Sequence, residues 1–216
     1  YIIFAFDSAD SLLVHLKMSG RFEIQSGSQT EDKHHHVILN FEDGRELCFH
    51  DPRKFGRMIL TNRPESVLGS LGPEPFDPLL TPPVFHCTLN RRKRLLKPLL
   101  LDQSFLGGLG NIYADEALWL AYLHPERGSH TLNPDEGAAL LKAIRTVLSD
   151  ALNNRGTSLG HGEANFAAEG EPGNHRNFLK VYQRKGEPCP RCGTPITRLV
   201  VGQRGTHICP QCQRKT

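Results

Sequence analysis

The sequence contains little that would place the protein in a membrane. Its apolar runs, such as Leu99 to Leu101, are far shorter than the roughly 20 residues that a membrane-spanning helix needs. No signal peptide is visible. Aromatic residues make up only 7% and charged residues 23% of the 216 residues, which is typical of a folded chain with one large or two small domains. We therefore expect no membrane partner.

The cysteine content is too low and too unevenly spaced for a secreted disulfide framework. Four of the six cysteines form two Cys-Pro-x-Cys pairs with 16 residues between them, namely Cys189, Cys192, Cys209 and Cys212. Four thiolates complete a tetrahedron and leave no position for water, so the spacing predicts one structural Zn²⁺. Two disulfides are the alternative. The isolated Cys48 is predicted to be a packed or semi-exposed side chain and not a nucleophile.

Acidic residues are scarce near the end of the chain. Residues 176–216 contain nine Lys or Arg residues and only Glu187 as an acid, a formal charge of +8 in a chain whose net charge is +3. A second basic cluster consists of Arg91, Arg92, Lys93, Arg94 and Lys97. Two separate basic patches favour a polyanionic partner over a small metabolite. Charge alone is equally compatible with a solvated surface.

Residues 1–61 contain short alternating segments that are typical of antiparallel strands. The predicted strands are Tyr1–Phe6, Leu12–Leu16, Arg21–Gln25, Val37–Phe41, Leu47–His50 and Phe55–Leu60. The Glu42–Gly44 turn indicates a hairpin. These strands predict a sandwich or meander that looks incomplete. Because the chain also starts at Tyr1 without Met, we expect it to be a fragment without its true N-terminus.

After a proline-rich linker between Pro73 and Pro83, the apolar period becomes helical. The predicted helices are Val84–Asp102, broken or kinked before Pro98, then Asn111–Tyr122, and a third that Asn133 caps and that ends near Asn154. A long loop, Thr157–Asn177, precedes the cysteine-bearing tail. The prediction is an α+β fold with boundaries at 1–76, 77–177 and 178–216.

Two features of the helical part and the tail suit phosphate binding. The Gly107–Gly110 turn would direct backbone amides outward at the start of a helix, with Asn111 as a further donor. The segment between the cysteine pairs predicts a hairpin whose tip, Gly202–Gly205, presents Arg204. Zinc would supply the folding energy of this short tail and hold Arg204 in place. Glycines that permit close helix packing are the alternative for the first feature.

The segments His15–Gly20 and His50–Gly56 contain Met18, Arg53 and Phe55. An apolar group can fill a gap in a base stack, and an Arg can pair with the base that is left behind, so these side chains could form a wedge. Core packing of Met18 and Phe55, with a surface salt bridge for Arg53, is the alternative. Composition alone favours that alternative.

Together these motifs resemble the formamidopyrimidine-DNA glycosylase family. The motifs follow in order along nearly the whole chain: HLKMSG, KHHHV, HDPRKFG, LGPEP, KPLLLDQ, GGLGNIYADEAL, VYQRKGEPCPRCGTPI and QRGTHICPQC. The GNIYADE turn together with the four-cysteine finger is highly specific. HLKMSG with DPRKFG favours the branch that acts on oxidised purines over the endonuclease VIII branch.

The resemblance implies a β-sandwich, a helix–two-turn–helix domain and a zinc hairpin, with damaged double-stranded DNA held between the domains. It implies a bifunctional glycosylase and lyase of base-excision repair that flips out 8-oxoguanine or formamidopyrimidine. Met18, Arg53 and Phe55 then correspond to the void-filling wedge, and Asn111 and Arg204 to residues that clasp phosphates beside the lesion. Arg204 would also donate a proton in the final elimination. Further DNA contacts are implied for His15, His34, Arg92 and Tyr182.

The resemblance also implies features that this chain does not contain. The family's proline nucleophile, the adjacent acid and a catalytic lysine would all precede Tyr1, so we expect the 216 residues alone not to cleave a glycosidic bond. The position of His35 is usually acidic in the family. The Thr157–Asn177 loop corresponds to the loop that covers the flipped base, and its own sequence leaves the preferred lesion open.

Three competing functions remain open at this point. They are those of a non-catalytic zinc-dependent DNA-binding protein, an endonuclease VIII-type glycosylase for oxidised pyrimidines, and an RNA-binding zinc-ribbon protein. For the leading hypothesis we expect a monomer in the bacterial cytoplasm, associated with the nucleoid.

Overall fold

The computed structural model describes residues 1–26, 32–157 and 173–215, which divide into two compact units. Unit 1 consists of Tyr1–Gly69 and Asn154–Arg176, and unit 2 of Ser70–Asn153 and Asn177–Thr216. Most of the predicted loop Thr157–Asn177 lies outside the described residues. In the part of the chain that is described, no helix is both long and apolar enough to cross a membrane.

Unit 1 contains two three-stranded antiparallel sheets. The strands are β1 (Ile2–Ala5), β2 (Ser11–His15), β3 (Arg21–Ser26), β4 (His35–Asn40), β5 (Arg45–His50) and β6 (Arg57–Thr61), and a short helix α1 (Glu65–Leu68) follows. One sheet has the order β1-β2-β6 and the other β3-β5-β4. Their apolar faces share one core, with Val14 from the first sheet and Phe22, Leu47 and Phe49 from the second. The predicted arrangement of two packed β-sheets is confirmed.

The predicted hairpin between β4 and β5 is also present. Phe41 N donates to Arg45 O (2.9 Å) and Gly44 N donates to Phe41 O (3.1 Å), which closes the turn. The register pairs Leu39 with Leu47, so both leucines face the same core. A register shift between His35 and Val37 marks a bulge at the start of β4.

Unit 2 contains a leucine-rich helical core. Its helices are α2 (Pro82–Asn90), α3 (Leu96–Leu100), α4 (Asn111–Leu120) and α5 (Pro134–Asn153), with a 3₁₀ turn at Ser129–Thr131. The prediction of one helix over Val84–Asp102, kinked before Pro98, was wrong about the break. The chain leaves the helix after Asn90, and Pro98 is the third residue of α3. Proline is tolerated there because amides of the first helical turn have no intrahelical acceptor.

The predicted cap of the third helix is confirmed as a capping box. Glu136 N donates to Asn133 Oδ1 and Asn133 N donates to Glu136 Oε2, both at 2.9 Å. The helix ends at Asn153, and Arg155 and Gly156 follow with positive φ angles.

The tail of unit 2 forms the hairpin β7 (Thr197–Val201) and β8 (Arg204–Ile208). Gly202 and Gln203 make the turn with φ angles of +54° and +64°, as in a two-residue type I′ turn. Arg204 closes this turn as its fourth residue and is the first residue of β8, where it pairs with Val201.

Candidate zinc centre and nucleic-acid interface

The four predicted zinc ligands come together in unit 2. The Sγ atoms of Cys189, Cys192, Cys209 and Cys212 all lie within 4.8 Å of one another, and the described residues contain no other such group. The Cys192 and Cys209 sulfurs are 3.4 Å apart. A disulfide would need about 2.05 Å, whereas a tetrahedral site with Zn–S bonds of about 2.3 Å places sulfurs ~3.8 Å apart. The donor set therefore fits one structural Zn²⁺, and the cysteines are not paired as disulfides.

Hydrogen bonds shape the two cysteine turns. Gly193 N donates to Cys189 O (2.8 Å), and Gly193 has a φ of +75°, a left-handed conformation that glycine adopts readily. Cys212 N donates to Cys209 Sγ and Trp119 Nε1 donates to Cys189 Sγ, both at 3.4 Å. Outer hydrogen bonds of this kind orient metal ligands. Trp119, on α4, thus connects the zinc centre to the helical core.

The thiols differ in acidity because their surroundings differ. Hydrogen bonds from the Thr194 hydroxyl and amide lower the pKa of Cys192 to about 6. Burial, together with the neighbouring sulfurs, raises the pKa of Cys212 to about 12. A divalent cation would favour all four thiolates because it offsets their mutual repulsion.

Arg191 attaches the first cysteine turn to the end of α4. Its guanidinium lies 4.0 Å from the Trp119 ring centroid and 3.6 Å from the Tyr122 ring centroid. It also donates to the backbone oxygens of Trp119 (3.0 Å) and Leu120 (3.4 Å). These carbonyls belong to the last turn of α4, where carbonyls lack the amide four residues on that a longer helix would supply. Arg191 therefore caps the helix and stacks on its aromatic side chains.

Lys97 joins the helices to the hairpin from inside the fold. Its Nζ donates to Asp115 Oδ1 (2.5 Å), Thr206 Oγ1 (2.8 Å) and Gly205 O (3.0 Å), and the side chains of Lys97 and Asp115 are fully buried. Burial lowers the pKa of Lys97, Asp115 opposes that shift, and the charge of Arg204 adds to it. The sequence placed Lys97 in a surface basic cluster, which was wrong. Lys97 is a structural cation of the junction between α3, α4 and β8.

The second oxygen of Asp115 completes this junction. Asp115 Oδ2 accepts a hydrogen bond from His207 N (2.9 Å) and lies 3.3 Å from His207 Nδ1. One carboxylate therefore contacts α3 through Lys97 and β8 through His207. The junction fixes β8 along the start of α4, where Arg204 and Asn111 are found.

Asn111 and Arg204, the two predicted phosphate ligands, both lie next to Gly205. Asn111 is the first residue of α4, and its Nδ2 donates to Gly205 O at 3.3 Å. Arg204 directly precedes Gly205 and its side chain is exposed. The Nδ2 group of Asn111 carries a second hydrogen, and the residue begins a helix whose N-terminus attracts anions. The structure thus brings these two residues together.

The glycine turn offers fewer outward amides than its sequence predicted. Gly107 N donates to Pro73 O (3.0 Å), and Gly108 N donates to Gln103 Oε1 (2.9 Å). These two amides hold the turn in the fold and do not face solvent as donors. The phosphate-binding site expected here therefore has fewer backbone donors than predicted and is centred on Asn111.

Glu116, next to Asp115, holds the segment before the hairpin. Its carboxylate accepts hydrogen bonds from the amides of Lys180 (2.8 Å), Val181 (2.9 Å) and Tyr182 (2.8 Å). Burial raises the pKa of Glu116, and these three amides oppose that shift. The Tyr182 ring lies edge-on to His207 at a centroid distance of 5.1 Å. Tyr182, a predicted DNA contact, therefore packs against β8, the strand that begins with Arg204.

The remaining basic cluster lies at the end of α2. Arg91, Arg92, Lys93 and Arg94 are all exposed, and Arg94 pairs with Asp102 at 2.6 Å. The described residues provide no ion pair for Arg92, the predicted DNA contact. Its backbone oxygen accepts a hydrogen bond from Ser129 Oγ at 2.5 Å, which fixes the end of the helix.

In unit 1 the structure brings the three predicted wedge residues into contact. Met18 is 74% exposed and Phe55 is 53% exposed. Arg53 lies between them, with Nη1 4.0 Å from Met18 Sδ and its guanidinium 4.8 Å from the Phe55 ring centroid. Core packing, the alternative for Met18 and Phe55, is contradicted by this exposure. We call these three residues the wedge cluster.

The two predicted histidine contacts of unit 1 lie near the loops that carry this cluster. His15 ends β2, and its Nδ1 accepts a hydrogen bond from Lys17 N (3.0 Å), one residue before Met18. His34 is half-buried, and its ring lies edge-on to His50 at 5.5 Å. His35 Nε2 lies 2.9 Å from Glu23 Oε2, so this histidine has an acidic partner within unit 1.

Sequence reasoning missed Asp51, Asp115, Glu116 and Arg191. A signal was present for two of them, because Asp115 and Glu116 lie inside an otherwise apolar helix segment, where an uncompensated charge is costly. For Asp51 and Arg191 the sequence held no comparable signal, since both lie in polar turns.

Family models match three parts of the chain. A formamidopyrimidine-DNA glycosylase N-terminal domain matches residues 1–58 and the H2TH domain of that glycosylase matches residues 71–161. A zinc finger found in FPG and IleRS matches residues 186–214.

Known proteins resemble the chain over nearly its whole length. It is 48% identical to the formamidopyrimidine-DNA glycosylase of Herpetosiphon aurantiacus, over 99% of this chain and 78% of that protein. It is 45% identical to the formamidopyrimidine-DNA glycosylase of Protochlamydia amoebophila, over 100% of this chain and 78% of that protein. The MutM (Fpg) crystal structure from Thermus thermophilus superposes with a TM-score of 0.87 at 40% identity, covering 99% of this chain and 79% of that one. The structure of a Lactococcus lactis Fpg complex with abasic-site DNA superposes with a TM-score of 0.85 at 36% identity, covering 95% of this chain and 76% of that one.

Proposed function

Since the chain belongs to the formamidopyrimidine-DNA glycosylase family, it is a DNA-binding glycosylase of base-excision repair, and we propose that it removes oxidised purines and cleaves the resulting abasic strand as a lyase. The proposed substrates are 8-oxoguanine and formamidopyrimidine in double-stranded DNA. The exposed wedge cluster of Met18, Arg53 and Phe55 supports this substrate class, because it matches the motif pair that favours the oxidised-purine branch.

The observation that carries the proposal is the junction between α4 and the zinc hairpin. Asn111 donates to the Gly205 carbonyl, Arg204 directly precedes Gly205 in β8, and the buried pair of Lys97 and Asp115 fixes both elements. We infer that Asn111 and Arg204 bind the phosphates beside the damaged nucleotide. Zn²⁺, when bound by the four cysteines, supplies folding energy to the hairpin and takes no part in the reaction.

The proposed chemistry divides between a nucleophile and the groups that this chain provides. In the family an N-terminal proline amine attacks the sugar carbon and breaks the glycosidic bond, so that the base departs and a Schiff base forms, and the strand phosphates are then eliminated. The guanidinium of Arg204 would stabilise the negative charge of the departing phosphate and donate a proton to it.

Replacing Arg204 by Ala is expected to weaken binding to abasic-site DNA by about 10- to 100-fold, because a charge-assisted contact to phosphate is lost. In a polypeptide that also carries the family's N-terminal proline, the same variant should slow the last elimination step more than base excision. Rapid-quench analysis of the cleaved strands measures both rates.

Arg214→Ala is the matched control, since Arg214 is an exposed Arg of the same tail. It removes the same charge but no contact near Asn111, so it should leave the elimination rate unchanged. Equal strand cleavage by Arg204→Ala and the unmodified protein would contradict the role proposed for Arg204.

Salt is expected to weaken binding strongly, because the basic surfaces at Arg91–Lys93 and along the tail face a polyanion. If they neutralise about six phosphates, log K should fall with log [salt] with a slope of about −5. Fluorescence anisotropy with an undamaged duplex at several salt concentrations measures this slope. A slope near zero would contradict the proposal that these basic surfaces bind DNA phosphates.

Substrate preference separates the proposed activity from an endonuclease VIII-type glycosylase and from an RNA-binding zinc ribbon. The former would prefer duplexes with oxidised pyrimidines, and the latter would bind structured RNA in competition with lesion DNA. We further propose that the protein acts as a monomer in the bacterial cytoplasm, associated with the nucleoid. Sedimentation with and without DNA tests the first part of that proposal.

A further inference from the structure

Asp51 is a buried acid that joins three segments of unit 1. It directly follows β5 and is only 1% exposed. Its Oδ2 accepts a hydrogen bond from Gly56 N (2.7 Å), across the turn that contains Arg53 and Phe55. Its Oδ1 accepts from Ser19 Oγ (2.7 Å), which belongs to the loop of Met18. One carboxylate thus holds both loops of the wedge cluster.

The backbone of Asp51 holds a third segment. Asp51 N donates to His34 O at 3.0 Å, and the Asp51 carbonyl lies 3.0 Å from His36 Nε2. The segment with His34, itself a proposed DNA contact, is therefore fixed to the same residue. Each of the three segments is anchored by a different group of Asp51: one by each carboxylate oxygen and one by the backbone.

Electrostatics agree with a charged Asp51. Burial opposes ionisation of its carboxyl group, yet hydrogen bonds from the Gly56 amide, the Ser19 hydroxyl and the amides of Arg53 and Phe55 lower the pKa of Asp51 overall. The carboxylate is therefore the form that the two loops require.

Phe49 keeps the same two loops close together. A Cβ atom on Gly20 would collide with Leu16 O and come within 3.1 Å of Phe49 Cε2, and a Cβ on Gly56 would collide with Cζ and Cε1 of the same ring. Both loops therefore close on one buried aromatic side chain, at positions where only glycine fits.

Two residues of these loops adopt a conformation that is unfavourable by itself. Lys17 and Lys54 have φ angles of 56° and 55°, and this left-handed region costs a residue with a Cβ about 1 kcal/mol or more. Such backbone persists when neighbouring contacts determine it. The contacts here are those to Asp51 and Phe49.

We propose that Asp51 is a positioning residue. It fixes the segments of Met18 and Arg53–Phe55 in the arrangement that inserts into damaged DNA, and it fixes the segment of His34 beside them. This inference rests on the proposed function of the wedge cluster. A preset wedge spends less binding free energy on ordering loops, so it can discriminate a gapped base stack from an intact one.

The test compares affinity for a duplex with an abasic-site analogue to affinity for the intact duplex. A 2-aminopurine opposite the analogue also reports wedge insertion by its fluorescence. Asp51→Asn turns one acceptor into a donor and should lower the affinity ratio by about 10-fold or more. Ser19→Ala removes one hydrogen bond and should lower it by about threefold to tenfold. Ser19→Thr keeps the hydroxyl and should preserve the ratio.

Cys48→Ala is the control for lost stability. Cys48 is fully buried in β5 but contacts neither loop through a hydrogen bond. It should destabilise the unit while the affinity ratio and the 2-aminopurine signal of the folded protein stay unchanged. A ratio that falls equally in Cys48→Ala and Asp51→Asn would overturn the inference in favour of a purely structural role.

Substitutions in the wedge cluster itself distinguish failure of the proposed wedge from failure of the positioning role of Asp51. If Met18→Ala and Phe55→Ala lower the ratio while Ser19→Ala and Asp51→Asn do not, the positioning role of Asp51 is wrong and the wedge stands. If Met18→Ala and Phe55→Ala leave the ratio unchanged, the proposed wedge itself is wrong. If Asp51→Asn fails to fold, the comparison of Ser19→Ala with Ser19→Thr tests the positioning role instead: a lower affinity ratio in the first variant alone supports it, and equal ratios contradict it.

Discussion

Removal of the zinc ion is expected to unfold the hairpin and to weaken the binding of abasic-site DNA by about 100-fold or more, since the metal supplies roughly 10–16 kcal/mol in small finger domains. The apolar cluster beneath the hairpin consists of Trp119, Val181, Ile196 and two of the ligands themselves, Cys189 and Cys209. A cluster this small cannot order the segment without the metal.

Trp119 provides the local measurement. It is the single tryptophan of the chain, and its indole contacts both Cys189 Sγ and the guanidinium of Arg191. Chelation should therefore change its fluorescence in parallel with the loss of DNA binding, and added Zn²⁺ should restore both.

Cysteine variants provide the control for metal removal. Cys192→Ser should reproduce the effect of chelation, whereas Cys87→Ser should not, because Cys87 is exposed on α2 and belongs to no metal group among the described residues. Normal DNA binding by the chelated protein would contradict the positioning role of the zinc centre.

Replacement of Asp115 by Ala is expected to cost about 3–5 kcal/mol of unfolding free energy, the penalty for an uncompensated buried charge. Lys97 would remain inside the fold with only Thr206 Oγ1 and Gly205 O as partners, and its pKa would fall further. Denaturant unfolding measures the loss, and hydrogen exchange of the His207 amide reports whether β8 has left α4.

Glu126→Ala is the matched control for this variant. Glu126 pairs with Lys215 at 2.8 Å, but the two side chains are 32% and 65% exposed. A pair exposed to solvent contributes at most about 1 kcal/mol. Similar losses for Asp115→Ala and Glu126→Ala would show that burial of the Lys97 pair does not matter.

The zinc centre was predicted from the sequence because most of its signal is local. Each Cys-Pro-x-Cys turn places two sulfurs on one metal. The structure adds that the two turns meet at one site and that the sulfurs are too far apart for disulfides. The capping box at Asn133 and Glu136 was predictable for the same reason, since its partners are three residues apart.

The surroundings of Lys97 were not predictable because its partners are distant in sequence. Lys97 follows four basic residues and therefore resembles part of a surface cluster. Its burial depends on Asp115, 18 residues away, and on Thr206, 109 residues away. Sequence periodicity indicates which face of a helix is apolar but not which cation lies beneath it.

For the wedge cluster, the sequence supplied the residues but not their exposure. Met and Phe are usually buried, so composition favoured core packing for Met18 and Phe55. Their exposure follows from the loops that Asp51 and Phe49 hold in place, which are tertiary contacts. The loop predicted at Thr157–Asn177 to cover the flipped base lies largely outside the described residues and stays a prediction.

The most direct test of the phosphate clasp combines Arg204→Ala with a duplex in which one phosphate beside the abasic site is a neutral methylphosphonate. If Arg204 binds that phosphate, the neutral linkage should weaken binding of the unmodified protein by about 10-fold or more and leave the affinity of Arg204→Ala nearly unchanged. An equal loss of affinity in both proteins, at every phosphate flanking the lesion, would contradict the placement of Arg204 beside the damaged nucleotide.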